Sequence, residues 1–128
     1  MTPLHKFTLE FSVKTSPKLL FTLISTTEGL ARWFADRVKA KDNVFFFEWE
    51  GSSQSARLTD AREPEYVRFE WLDDFHEGFF MEMQIEYQPV SGEVALIVSD
   101  YSEASDMEFS QMWWTTQIAR LQRLFNSN

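Results

Sequence analysis

The stretch from Ser16 to Phe34 constrains the chain most, because it reads as two short helices back to back. Ser16 is an N-cap whose hydroxyl can accept from a free backbone N–H, and Pro17 follows where a missing N–H costs nothing. Leu20, Phe21, Leu23 and Ile24 crowd one side of the first helix. Ser25-Thr26-Thr27-Glu28 has capping-box spacing and predicts the start of the second helix, whose apolar face carries Leu30, Trp33 and Phe34.

One strand precedes this pair and a run of strands follows it. His5, Phe7, Leu9, Phe11 and Val13 alternate with polar residues over 4–13, the pattern of a half-buried strand. Residues 36–41 form a polar bridge or short strand, and further strands are expected over 43–50, 54–61, 66–71, 79–87 and 93–101. Gly51-Ser52-Ser53, Glu63-Pro64-Glu65, 73–78 and 89–92 are the turns between them, and their regular spacing implies an antiparallel meander. Residues 104–126 read as one long helix, with Ser105 as its cap, Asp106 and Glu108 in its first turn, and Arg120 and Arg123 near the end that favours cations. Met107, Trp114, Ile118, Leu121 and Phe125 mark its apolar face, with Gln111 as a polar interruption. The meander has one apolar face to cover and only this helix is long enough, so the sheet is expected to curl around it while the short helices close one end.

The series Ser16-Pro17, Leu20-Phe21, Ser25-Thr26-Thr27, Leu30 and Trp33-Phe34 resembles the START-like superfamily (Bet v 1-like, SRPBCC). Within it, the chain resembles the small bacterial proteins related to the C-terminal domain of the Hsp90 ATPase activator. The resemblance covers nearly the whole chain and implies an α+β helix-grip fold. That fold is a curved antiparallel sheet of six to seven strands around a long C-terminal helix, with two short helices after the first strand, as a single domain over 1–128. The fold hosts lipid carriers, cyclases, hormone receptors and co-chaperone modules, so it does not by itself settle the activity.

Charge and composition exclude several classes. The net charge is −8, divided between +4 in residues 1–41 and −12 in residues 42–128. An acidic excess of this kind argues against nucleic acid and against anionic membrane surfaces. The chain has no cysteine, which removes disulfides, thiolate nucleophiles and Cys metal sites together. The N-terminus shows no secretory pattern and no stretch has the length of a membrane span, so a cytoplasmic location without membrane insertion is expected.

Catalytic patterns are sparse. His5 reads as a partly buried strand residue, and His76, in Asp73-Asp74-Phe75-His76-Glu77-Gly78, as part of a solvated hairpin loop rather than a metal ligand or general base. Glu48 and Glu50 share a wet strand face, where a carboxylate stays ionised. No glycine-rich phosphate loop is present, and no catalytic residue, metal site or cofactor is assigned.

The positive signal is a set of rings and methionines, drawn from thirteen Phe, five Trp and five Met. Trp33, Phe34, Phe45, Phe47, Trp49, Phe69, Trp71, Phe79, Met81, Met83, Met107 and Trp114 are candidates for a cavity between sheet and C-terminal helix, with Gln111 as an orienting polar group. Trp113 lies about 100° round the helix from Trp114. Arg57, Arg68 and Ser99 are further polar candidates whose strand facing the pattern leaves open. These side chains either line a pocket or fill a solid core. The first alternative makes the chain a non-catalytic binder of a hydrophobic or aromatic, lipid-like small molecule. A co-chaperone-like interaction module and a polyketide cyclase/aromatase-like enzyme are the other readings. Phe46 and Phe80 fall on outward faces, which allows a protein partner or a homodimer.

Overall fold

Strand β1 (Leu4–Ser12) pairs antiparallel with the last strand, β7 (Glu93–Glu103), from Leu4 opposite Glu103 to Ser12 opposite Ala95. This pairing of the two ends of the meander brings the whole chain into one sheet. The computed structural model describes residues 3–73, 76 and 78–126. Between the two ends run β2 (Arg37–Lys41), β3 (Val44–Trp49), β4 (Ser52–Arg62), β5 (Tyr66–Trp71) and β6 (Phe80–Gln88). The order across the sheet is β1-β7-β6-β5-β4-β3-β2, with every neighbouring pair antiparallel. The architecture is thus the seven-stranded α+β helix-grip arrangement expected from the sequence.

Alternation puts Phe45, Phe47, Val67, Phe69, Trp71, Met81, Met83, Ile85, Leu96 and Val98 on the concave side, all buried. The pattern of β4 is weak because its register shifts between Leu58 and Asp60, so the strict two-residue period is interrupted.

Helix α1 (Pro17–Ser25) starts as its sequence dictates: the Ser16 hydroxyl accepts from the Leu19 N–H at 3.2 Å and Pro17 takes the first helical position. The next cap differs from expectation. Ser25 still belongs to α1 and donates its hydroxyl back to the Phe21 carbonyl at 2.6 Å. Thr26 is the first residue to leave helical dihedrals, so Thr26 caps α2 (Thr27–Leu30), accepting from the Gly29 N–H at 2.9 Å. The capping-box reading of Ser25 with Glu28 is corrected accordingly. Helix α2 is a single turn, and the turns after it still bury Trp33 and Phe34 completely.

At the other end the chain leaves β7 through a 3-10 turn, Ala104–Asp106, before helix α3 (Met107–Arg123) begins. That turn moves the cap position from Ser105 to Asp106, whose side chain makes no capping bond. Arg120 and Arg123 do occupy the last turn. The buried face of α3 consists of Trp114, Gln117, Ile118 and Leu121, and Gln122 Nε2 ties it to the Ser12 carbonyl at 2.8 Å.

Cover of the concave face is shared more evenly than the helix lengths suggest. Helix α3 packs on β1 and β7, α1 on β5 and β6, and α2 on β2. Nine residues of α1 bury Leu20, Phe21, Leu23 and Ile24, whereas seventeen of α3 bury three apolar side chains. At about 1.5–3 kcal/mol per buried large side chain, the short helix contributes at least as much as the long one.

The outer face is polar. Arg57 faces Glu70 at 3.6 Å and Arg68 faces Glu82 at 3.1 Å, while Ser99 bonds Thr8 at 3.2 Å. Arg57, Arg68 and Ser99 therefore point away from the interior. Phe46 and Phe80 are exposed as expected, but β4 and β5 with their ion pairs lie between them, so the two rings form no continuous apolar patch.

Candidate functional site

The space between helix and sheet is filled with rings. Phe34 is the hub: its ring centre lies 4.9 Å from Phe47, 5.4 Å from Trp33 and Trp114, 5.5 Å from Trp113, 5.6 Å from Trp49 and 6.5 Å from Trp71. Phe45, Phe47 and Phe69 continue the cluster, and Met81 and Met83 close it, both fully buried. Trp33 satisfies its indole N–H on the Leu23 carbonyl at 2.8 Å. Of the cavity candidates, Trp33, Phe34, Phe45, Phe47, Phe69, Met81 and Met83 thus sit in this packed interior.

Trp49 is half-buried and borders an open cleft of about 480 Å³ where α3 leaves the sheet, and the buried Trp71 and Trp114, which also pack on Phe34, lie beneath its lining. Trp49 and Trp71 end β3 and β5, while Trp113 and Trp114 stand on α3 and Phe109 forms the lip. The indole walls are held at steep angles: Trp113 meets Trp114 at 88° and Trp49 at 73°. Trp49 Nε1 donates to the Phe34 carbonyl at 2.7 Å, which fixes that wall to the interior. Phe79 packs on Tyr101 at 4.8 Å and Met107 rests on the core edge. Neither of these lines the cleft, nor does Gln111, which is half-buried.

The floor holds a group that the residue pattern alone did not single out. Asp100 is 8% exposed; its Oδ2 accepts from Trp114 Nε1 at 3.0 Å and its Oδ1 from the Tyr101 N–H at 2.9 Å. Burial raises its pKa, because the charged form loses its water; the Trp114 and Tyr101 donors, the nearby His76 and the Trp71 indole pull it partly back. The signal was present in the alternation of β7, where Val94, Leu96, Val98, Asp100 and Ser102 share the inward parity.

His76 also differs from the solvated loop residue expected of it. It is half-buried, its Nδ1 lies 2.8 Å from Asp73 Oδ1, and its Nε2 lies 3.3 Å from the Tyr101 carbonyl. Asp74, Phe75 and Glu77 of the same loop lie outside the described residues. His5 differs from the partly buried residue expected: near the start of β1 it is exposed, and burial on that face begins at Phe7. A second depression of about 590 Å³ shares Ser53, Gln54, His76, Tyr101 and Ser110 with the cleft and continues it toward Asp73, Glu103 and Asp106. Ser110 bonds Ser102 across the floor at 2.9 Å. The arrangement presents aromatic surface with a buried hydrogen-bonding carboxyl at its base. Among the described residues, no group of three or more His, Asp or Glu side chains could hold a metal ion. Nor is any helix among them long and apolar enough to cross a membrane.

The profile of a START-like superfamily domain matches residues 1–127. A solution structure of a Bacteroides fragilis protein is 32% identical, with a TM-score of 0.66, over 100% of this chain and 96% of that one. The solution structure of the Aha1 dimer from Colwellia psychrerythraea superposes with a TM-score of 0.81 at 15% identity, over 92% of this chain and 93% of that one. DynU16, from the dynemicin biosynthetic locus, superposes with a TM-score of 0.76 at 14% identity over 92% of this chain, which spans 46% of DynU16. At such low identities the last two likenesses show the fold alone. No curated protein sequence matches the chain.

Proposed function

The chain belongs to the START-like superfamily, and from that premise we propose that it binds a small aromatic or amphipathic molecule, without chemical change, in the tryptophan cleft at the mouth between α3 and the sheet. One observation carries this reading: the half-buried Trp49 and Trp113, backed by the buried Trp71 and Trp114, border a cleft of about 480 Å³, a volume typical of small-molecule sites, above a buried carboxyl. Because the interior is filled by Phe34 and its neighbours, the ligand is one that stacks on indole walls rather than a long acyl chain threaded under the helix.

The test is a fluorescence titration of the protein with naringenin, a flat flavanone, and with palmitate. Saturable quenching by naringenin that Trp113→Ala abolishes is expected. Tight binding of palmitate that is indifferent to Trp113→Ala overturns the reading.

A second reading rests on the outer side of α3, where Phe109 is 63% exposed and Met112 64% exposed. These two side chains and Trp113 flank a shallow groove, and the Colwellia relative of the same fold is a dimer. On this reading two copies pair through α3. Sedimentation of the wild type as a dimer and of Met112→Glu as a monomer supports it, and a monomeric wild type removes it.

A further inference from the structure

The charge around the cleft is one-sided. Glu50 and Asp100 line it, and Asp73, Glu103 and Asp106 line its continuation, yet no Lys or Arg belongs to either among the described residues. The lining side chain able to carry positive charge, His76, already faces the Asp73 carboxylate at 2.8 Å. Two carboxyl groups thus border the aromatic cleft and three more its continuation, with His76 as the one side chain in either lining, among the described residues, that can carry positive charge.

Asp100 accepts from Trp114 and from Tyr101, and the Trp71 indole also acts on it as a donor, while a carboxylate offers about four acceptor positions. Acceptor capacity therefore remains on a side chain held rigidly at the cleft floor. Indole faces attract cations through the ring quadrupole, and Trp is the strongest of the three ring types in this respect. The net charge of −8 adds a field that draws cations toward the molecule and repels anions.

Resting on the cleft-binding reading above, we propose that the ligand is a small organic cation: an ammonium group seats against Asp100 and its aromatic or alkyl body lies on the tryptophan walls. Carboxylate-bearing ligands, fatty acids included, are disfavoured by the same lining.

Three probes with similar skeletons separate charge from shape: 2-phenylethylammonium, 2-phenylethanol and phenylacetate, each titrated while the indole N–H signals are followed by NMR. The ammonium is expected to bind at least tenfold more tightly than the alcohol, with phenylacetate weakest, and added NaCl should weaken the ammonium alone. Asp100→Asn should bring the ammonium down to the level of the alcohol. Glu50→Gln, at an exposed rim position that carries no packing, should weaken the ammonium by about two- to threefold, as expected for one partly screened charge. Equal binding of all three probes at the same indoles overturns the cation assignment and leaves the aromatic cleft standing. Binding of naringenin but of none of the three probes likewise overturns the cation alone. Failure of naringenin and all three probes to move any indole signal removes both.

Discussion

Replacing Phe34 by Ala removes the hub of the ring cluster, and its cost measures how solid the interior is. The side chain is fully buried and meets six other rings at centroid distances between 4.9 and 6.5 Å. Transfer of the lost surface accounts for about 2–3 kcal/mol, and the void left behind brings a Phe→Ala change to about 3–5 kcal/mol. The neighbours here are large rings with indole N–H groups anchored on Leu23, Phe34 and Asp100, so they cannot collapse into the gap. The upper half of that range, about 4–5 kcal/mol, is therefore expected. Phe34→Leu keeps most of the volume and should cost about 1–1.5 kcal/mol. Urea unfolding followed by far-UV circular dichroism reads both, and with a slope of about 1–3 kcal/mol per molar the Ala variant should lose between about 1.3 and 5 M of its midpoint. A loss under about 1 kcal/mol for Phe34→Ala would mean that the rings do not form a packed core, and the argument for a rim cleft would fall with it.

Other expectations follow from single contacts. Thr26→Ala should cost about 1 kcal/mol by removing the α2 cap, whereas Ser25→Ala should cost little, since its hydroxyl only doubles an existing helix carbonyl contact. Thermal melts of the two variants distinguish Thr26 from Ser25 as the cap. Gly29→Ala should destabilise by about 1–3 kcal/mol, because the new methyl would clash with the Thr22 carbonyl and lie 2.6 Å from Leu23 Cα, both backbone atoms that cannot swing aside. Asp100 keeps its proton to higher pH when folded than when unfolded, so folding takes up a proton between those two values. Its contribution is most favourable at and below the ordinary carboxylate range and declines as pH rises through the folded value, by at most about 1.4 kcal/mol per pH unit. Urea midpoints of wild type and Asp100→Asn compared from about pH 4 to 8 should show the wild type losing ground as pH rises, and a constant or widening advantage for the wild type contradicts the assignment.

Period-two alternation in β1, β3, β5 and β6 was strong enough to define those strands and, His5 apart, their inward faces from the sequence, and Ser16-Pro17 located the first helix. What resisted reading depended on single-residue offsets. Thr26 and Ser25 are chemically alike as caps, and only the point where the backbone leaves helical dihedrals chooses between them. The 3-10 turn before α3 moved its start by the same mechanism. The cavity candidates were named by residue type, and type does not tell a ring enclosed wholly in the core, as Phe69 is, from one that packs on Phe34 and also ends a strand beside the cleft, as Trp49 and Trp71 do. Asp100 lay in plain alternation with Val94, Leu96 and Val98, yet an acidic residue near a strand end is easily taken for a surface residue. His76 has Asp73 as a partner three residues away, but its second ring nitrogen meets the Tyr101 carbonyl only because β7 runs beside the loop, a contact that spans 25 positions in sequence.

The five indoles supply both the site and its control. Trp49 and Trp113 border the cleft with the buried Trp71 and Trp114 just beneath, while Trp33 lies outside its lining with its N–H on the Leu23 carbonyl. The most direct measurement is a ¹H–¹⁵N spectrum of the indole region with saturating naringenin. Binding at the rim predicts that the four cleft signals shift and Trp33 stays in place. A shift of Trp33 with the cleft signals unmoved would put the ligand in the interior and contradict the account.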